Sequence, residues 1–412
     1  MRFGTLLGQL LDDMRRQPLR TTLTILGITW GTTAVVTLLA FGVGFERQMT
    51  VNARGMGDGI VLVMGNRTTI PYQGFPERRR IRLVEEDAEL LAREVPQIDM
   101  ITPEYGTWNR RVSRGETSTE VFLTGVRANY GDLRNVFAQG GGRFLNQEDV
   151  ADRRRVIVLG DEVKRLLFGD EPAVGEEIFL GTTPFTVVGV MADKTQNSSY
   201  NARDEDRVFI PITTYKALEG SRYLNFILFR PTDPALSETA VAGARRVLGR
   251  KYMFDPEDRD AVQVWDTNEM MKMFKYIFIG FNAFLGIVGS FTLVVGGVGV
   301  ANIMFVVVQE RTREIGVRRS VGARKRDVLV QVLLEAVLIV AIGAALGFAI
   351  SVGLAEVVGL LPIDEYVGTP TISTPVTLIT AGLLTLVALT AGLMPARRAA
   401  ALEPADALRW NA

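Results

Sequence analysis

The sequence predicts a membrane protein with four transmembrane α-helices and a large extracytoplasmic α+β domain of two lobes between helices 1 and 2. Three observations carry that prediction. Thr21–Phe45 runs 25 residues without a charge, residues 276–309 carry none, and residues 328–355 carry only Glu335. The stretch 46–275 is instead rich in charge and alternates short β-rich runs with turn residues. Finally, Lys and Arg gather in short segments at one side of the apolar stretches, the pattern that keeps such segments in the cytoplasm.

Bulk composition conceals this division. Hydrophobic residues make up 47% and charged residues 22% of the 412, values close to those of a soluble protein. The formal net charge is zero, which gives no argument for nucleic-acid binding. The chain has no Cys and no His. Disulfides and thiolate metal sites are thereby excluded, and the commonest general base is missing. A catalytic role is not expected.

Taken in order, residues 1–18 place Phe3, Leu6, Leu7, Leu10, Leu11 and Met14 on one helical face, as in an amphipathic helix either on the inner membrane surface in contact with lipid or packed on the transmembrane bundle. Residues 19–45 form transmembrane helix 1, enough to cross a ~30 Å core at ~1.5 Å per residue. The apolar stretch is too long for a cleaved signal peptide, so a retained helix is expected. Arg15, Arg16 and Arg20 put its start in the cytoplasm.

Residues 46–275 should fold as their own α+β domain. Strands are expected at Ile60–Met64, Glu120–Val126, Val156–Leu159, Phe185–Val190, Val208–Pro211, Tyr223–Arg230 and Val262–Trp265. Helices are expected at Val84–Val95, Asp161–Phe168 and Pro234–Lys251. Glu85, Glu86 and Asp87 favour the positive dipole end of the first of these. The acidic groups Asp204-Glu205-Asp206 and Asp255, Glu257, Asp258 and Asp260 lack the spacing of a Ca²⁺ loop. They read as solvated loops, and no residue is assigned to a metal. Gly140-Gly141-Gly142 lacks the following Lys-Ser/Thr of a phosphate-binding loop and reads as a turn.

Residues 276–309 form transmembrane helix 2, longer than a bilayer requires, so that it tilts or projects as a stalk. Residues 310–327 form a cytoplasmic loop, 328–358 transmembrane helix 3, 359–375 a short external loop with Asp364 and Glu365, and 376–394 transmembrane helix 4. Residues 395–412 form a cytoplasmic tail containing Arg397, Arg398 and Arg409. This asymmetry of Lys and Arg supports four spans with both termini inside. Gly27-x-x-x-Gly31, Gly297-x-x-x-Ala301 and Gly343-x-x-x-Gly347 place small residues on one face of a span, where helix backbones approach closely, either within one subunit or between two. Glu335, just past the central loop, is expected to pair with a loop Arg, since an unpaired carboxylate there is costly.

The central segment 309–326 carries seven Lys/Arg against Glu310 and Glu314, a net charge of +5. Its pattern Glu310-Arg311-x-x-Glu314-Ile315-Gly316, then Arg318-Arg319-Ser320-Val321-Gly322-Ala323, resembles the signature of the MacB/FtsX-type permeases of ABC transporters. Ser320 departs from the Ala more usual there. The end, Pro395-Ala396-Arg397-Arg398-Ala399-Ala400 through Pro404 to Arg409, is similar to that of the family, and the order of spans extends the likeness over the whole chain.

The resemblance implies a non-catalytic permease subunit of the cell inner membrane, multi-pass, with an insert lobe at about 129–193. It implies a separate cytoplasmic ABC ATPase that carries ATP and Mg and binds the central segment. Glu310, Arg311, Glu314, Ile315, Gly316, Arg318, Arg319, Gly322 and Ala323 are the residues expected at that contact. A second permease copy, as homodimer or heterodimer, is implied too, which favours a subunit contact at the first two small-residue faces. The absence of any Walker sequence agrees with hydrolysis on a partner. Efflux of amphiphilic compounds or peptides by mechanotransmission, through a periplasmic adaptor and outer-membrane duct, is the first expectation. Release of lipoproteins, or signalling to a cell-wall hydrolase, are the alternatives.

Overall fold

The structure is a computed structural model that describes residues 18–194, 196, 199–361 and 368–403. The expected amphipathic helix at 1–18 falls almost wholly outside the described residues, as do Asp364, Glu365 and the tail beyond 403. The chain divides into two compact units, Met49–Lys275 and the remainder.

Among the described residues, four helices are long and apolar enough to cross a membrane. They are α1 (Pro18–Arg54) and three of the last four helices in the chain, described below after the domain between them.

That domain contributes, in order, β1 (Val61–Gly65), α2 (Glu85–Glu94), β2 (Ile98–Arg114), β3 (Thr117–Val126), α3 (Tyr130–Arg134), α4 (Gln147–Ala151), β4 (Val156–Leu159), α5 (Asp161–Phe168), β5 (Glu177–Leu180), β6 (Thr183–Val190), β7 (Arg207–Pro211), α6 (Ile212–Glu219), β8 (Phe226–Pro231), α7 (Ser237–Tyr252) and β9 (Val262–Asp266). The nine strands form a single sheet in the order β3-β7-β4-β6-β5-β2-β8-β1-β9. Because β2 also pairs with β3, the first six strands close into a ring. The other strands extend from β2 as an open flap.

The 17-residue β2 is therefore the hinge of the architecture. One edge carries β3 from Glu104 to Arg114. Its other edge is shared, with β8 along Ile98–Glu104 and β5 at Val112 and Ser113. A bulge between Thr107 and Arg110 redirects the strand between these partners, and Asn109 adopts φ 57° there. Asn tolerates that left-handed geometry better than most residues.

Period-two alternation explains why several strands are apolar throughout: both of their faces are covered. Val61 and Val63 pack with Ile227 and Phe229 against Ala88 and Leu91 of α2 and Ala240, Ala244 and Leu248 of α7. Leu62 and Leu228, on the opposite face, join Tyr130 and Leu133 of α3. In the ring, Ile157, Leu159, Val208 and Ile210 pack with Val163 and Leu167 of α5 and Tyr215 of α6. The intervening Val158 and Phe209 face the α3 cluster. The expected two lobes share one continuous sheet, which carries three buried clusters. Strands β4, β5 and β6 lie within 129–193, and β2, β3 and β7 from outside that stretch complete their ring.

In the helical unit, α1 is followed by α8 (Thr267–Glu310), α9 (Thr312–Ser320), α10 (Lys325–Gly359) and α11 (Thr374–Ala401). The 44 residues of α8 span about 66 Å at ~1.5 Å per residue, roughly twice a ~30 Å hydrocarbon core. Its apolar face is largely outward-facing, with Phe284, Phe291 and Val295 all exposed. That is the state of side chains that meet lipid or another membrane helix. Thr371 N–H donates to Ala40 O at 3.0 Å, tying the segment before α11 to α1.

Candidate functional site

The basic segment between the second and third spans is a helix with a turn, where the sequence suggested a loop. After α8, only Arg311 separates it from α9. Gly322 then takes φ 109°, a backbone conformation that a side chain disfavours, and this sharp turn reverses the chain into α10. Arg324 N–H donates to the Asp327 carboxylate at 2.9 Å and so caps the start of α10.

Three arginines strap α9 to the spans around it. Arg311 Nη1 donates to Glu335 Oε2 of α10 at 3.3 Å, the pairing expected for Glu335. Arg318 Nη1 donates to Gln331 Oε1 at 2.9 Å, and Nη2 to Glu314 Oε1 at 2.5 Å. Arg319 reaches the C-terminal end of α11, donating to the carbonyls of Ala400 (3.3 Å) and Leu402. A cation there meets the negative end of the helix dipole and satisfies terminal carbonyls. Ile315 and Gly316 are buried, Ile315 within a cluster that includes Met304, Val308, Val328 and Val332.

Of the nine residues expected at a partner contact, Glu310, Glu314 and Gly322 are exposed. Arg311, Ile315, Gly316, Arg318 and Arg319 turn toward the spans, and Ala323 is half-buried. The outward face instead carries Arg313, Val317, Val321, Arg324, Lys325 and Arg326, which motif reasoning passed over. Val321 is 84% exposed and Val317 45%, so the cationic tip has an apolar centre.

The small-residue faces are occupied within one subunit. A Cβ added at Gly31 would lie 3.1 Å from the Leu293 side chain, and one at Gly296 would lie 3.2 Å from the Gly27 carbonyl, so α1 and α8 meet backbone to backbone. At Gly297 it would lie 2.7 Å from Val387 of α11, and Ala301 packs on the same core. At Gly343 and Gly347 it would strike Ile28 and the Thr29 carbonyl of α1 at 2.8 and 2.6 Å. Thr33 Oγ1 donates to Gly347 O at 3.2 Å across that same contact.

Two family models match the chain: a MacB-like periplasmic core domain over residues 21–247, and an FtsX-like permease C-terminal domain over residues 286–404. The chain belongs to the MacB/FtsX family of ABC-transporter permeases. It is 31% identical to the macrolide export ATP-binding/permease protein MacB of Shewanella sp. (strain W3-18-1) over 96% of its own length and 59% of that protein's. It is 31% identical to the protein of the same name from Rhodospirillum rubrum, over 98% and 60%. The chain therefore spans about three fifths of the length of these curated relatives. The crystal structure of the periplasmic region of MacB from Actinobacillus actinomycetemcomitans matches 54% of this chain and 96% of its own, at 19% identity and a TM-score of 0.43.

The MacB-like core domain of this permease also contains an ionic cluster that the sequence did not disclose. Asp204 was expected in a solvated loop. It is fully buried. Arg134 Nη2 grips both of its oxygens, at 2.8 and 3.0 Å, and Lys194 Nζ lies 2.7 Å from Oδ2. Arg207 Nε is 3.4 Å from Oδ1, and Arg207 Nη1 is 3.5 Å from Oε1 of the equally buried Glu104. Tyr200 donates its hydroxyl to Glu104, and Arg134 and Arg207 lie over the Tyr200 ring at 4.8 and 4.9 Å. Burial would raise the Asp204 pKa, but Arg134, Lys194 and Arg207 outweigh it and hold the carboxyl well below its ordinary range. Burial wins at Lys194, whose pKa falls to about 8 although Asp204 attracts its charge.

Asp258 corrects the other solvated-loop expectation. It is 1% exposed and accepts from Thr69 N–H (2.7 Å), Thr69 Oγ1 (2.8 Å) and Ile70 N–H (3.0 Å). These bonds hold the segment between β1 and α2 in place and draw the Asp258 pKa down despite the cost of burial.

Proposed function

We propose that this chain is the inner-membrane permease subunit of an exporter in which an ABC ATPase on a partner chain docks on α9 and its following turn. Both termini are cytoplasmic in this reading, in keeping with the concentration of Lys and Arg in 309–326. The observation that carries it is the strapping of α9: Arg311, Arg318 and Arg319 bind it to α10 and α11, so a push on its outer face moves the two spans with it. A helix held this way transmits force better than a flexible loop. The 44-residue α8, which runs from the end of β9 to the start of this elbow, continues the linkage toward the core domain.

ATP and Mg act on the ATPase, and this chain contributes no catalytic group. The cargo is an amphiphilic compound or peptide moved by mechanical displacement of the periplasmic domain, with a second permease copy, a periplasmic adaptor and an outer-membrane duct completing the machine. The relatives' printed names refer to macrolide export, and a macrolide is a large amphiphilic ring.

The test uses the ATPase that co-purifies with the full chain from membranes. Val317→Glu and Val321→Glu alter exposed positions and leave the straps intact. Both variants are expected to insert normally and to lose co-purification and permease-stimulated ATP turnover. Wild-type stimulation in the double variant would remove α9 from the mechanism.

A further inference from the structure

A cleft of about 1050 Å³ opens in the α/β domain between the sheet, α7 and the first turns of α8. One wall is aromatic and apolar, formed by Tyr200, Phe226 and Trp265 together with Met64, while the rest is polar, with Glu238, Glu257, Asp266 and Glu269 alongside Arg245, Arg246, Arg259 and Lys272. The rings of Tyr200 and Phe226 meet edge to face at 4.9 Å. The buried ionic cluster fixes this wall from behind, since Arg134 and Arg207 stack on Tyr200 and Glu104 takes its hydroxyl proton in a hydrogen bond.

Arg245 of α7 projects into the same cleft, and it contrasts with the ion-paired arginines of this domain. Arg110, Arg114, Arg127, Arg134, Arg143 and Arg207 all have a carboxylate within 4.0 Å. Arg245 is half-buried, and its Nε is fully buried with no hydrogen-bond partner. Burial and the nearby Arg259 both weigh against its charge, while Glu257 and Glu269 offset this only through space. Those two carboxylates are exposed, whereas the Arg245 Nε–H has given up water without gaining a bond. A guanidinium carries five N–H donors and no acceptor. A buried donor left unmatched costs about 1–3 kcal/mol, so the site favours whatever supplies oxygen acceptors beside an apolar body.

We propose that this cleft binds an amphiphile with an anionic head, phosphate or carboxylate, the head on Arg245 and Arg259 and the apolar body against Tyr200, Phe226 and Trp265. A planar anionic group meets the guanidinium in the two-bond geometry that it recognises best. The proposal deepens the export reading by naming the class of cargo. It is tested without ATPase or nucleotide, so its failure and a failure of coupling are distinguishable.

The experiment is calorimetric titration of the full chain in phosphatidylcholine nanodiscs, with empty nanodiscs subtracted. Octyl phosphate is expected to bind saturably, one per chain. Inorganic phosphate and octyltrimethylammonium should each bind at least about tenfold more weakly, as loss of apolar burial or of a charge-assisted hydrogen bond requires. Arg245→Gln and the exposed Arg259→Gln should each weaken octyl phosphate by roughly tenfold. The second variant keeps the result interpretable if the first disturbs α7. Equal affinity for the cationic probe, or wild-type affinity in both variants, overturns the proposal. Repeating the titration with phosphatidylglycerol in the nanodiscs separates the two sources of such a head. Competition assigns the cleft to a lipid, and its absence assigns it to a free amphiphile.

Discussion

The two interiors of this chain are built on opposite rules. In the α/β domain, Glu104, Arg134, Asp204 and Arg207 are buried together as one ion-paired group. In the helical unit, Glu335 is the one acid buried among the described residues, and it lies at the α9 end beside Arg311. What holds the spans is close approach, Gly27 against Gly296 and Gly343 and Gly347 against α1. The difference follows from the solvent. Water drives the domain to bury apolar area, and that gain covers the desolvation of a few well-paired charges. Lipid provides no such drive between helices, so the spans rely on packing and on hydroxyl-to-carbonyl bonds such as Thr33 Oγ1 to Gly347 O, 3.2 Å.

The contrast breaks most visibly at Asp204. Asp204→Ala leaves Arg134, Lys194 and Arg207 without their shared anion and should cost the domain about 3–5 kcal/mol. The readout is the thermal transition of the full chain in detergent. The sign with pH is fixed as well. The folded pKa lies below the ordinary value of 3.8, so the contribution of Asp204 is complete above that value. It fades as pH falls through and below it, and the gap between wild type and variant should narrow there. A gap that stays constant down to strong acid would mean that charge is incidental to this interior.

In the spans, the matching test is size. Gly347→Leu should cost about 1–3 kcal/mol by overpacking, because even its Cβ would sit 2.6 Å from the Thr29 carbonyl. Gly353, on the same helix, has nothing within 4 Å of an added Cβ. Gly353→Leu should therefore leave thermal stability in detergent unchanged. Equal losses from the two substitutions would show that helix propensity, and not the approach of α1, governs the site.

A smaller and more local effect is expected at Asp258. Removing its carboxylate leaves the Thr69 and Ile70 amides unpaired and should lower the free energy of opening that segment by about 1–2 kcal/mol. The 66–80 segment should then become the first site of proteolysis, with the melting temperature little changed. A wild-type digestion pattern from Asp258→Ala would show the segment to be held by other bonds.

How much of this was legible in the sequence followed the same division. The spans announced themselves because lipid demands an unbroken apolar run, and the charges of 309–326 could be read from composition. That α9 is a helix could not, since Arg and Glu surround it and the residues it buries are Thr312, Ile315 and Gly316, too few for an apolar stripe. Strand β2 was missed because Pro103 and Gly106 look like breakers and the bulge at 107–110 interrupts the alternation. In the fold, Pro103 pairs with Ile227 in the ladder to β8 and Gly106 with Thr124 in the ladder to β3, so neither breaks the strand. Asp204 looked solvated because it sits in a run of acids. Of its cations only Arg207 is local, three residues on, while Arg134 and Lys194 lie 70 and 10 positions away, and no local pattern marks them among the many cations of the domain. Strand β5, unlike the equally short but wholly apolar β4, opens on Glu177 and alternates exposed and buried residues, so its apolar run is shorter.

The finest test of the buried cluster is Lys194, because its charge alone can be switched at a mild pH. Its folded pKa of about 8 lies below the ordinary 10.5. Between those values the unfolded chain holds a proton that the folded chain has already released. Stability then rises with pH across the window as far as this group is concerned. Lys194→Met removes the term and leaves Asp204 bound to Arg134 and Arg207. The wild type should therefore gain on the variant between pH 8 and 10 by an amount on the order of 1 kcal/mol, read as a difference in melting temperature so that tyrosine titrations common to both cancel. A difference that shrinks over that range would mean that Asp204 keeps Lys194 charged, and that the cluster is an ordinary salt bridge despite its burial.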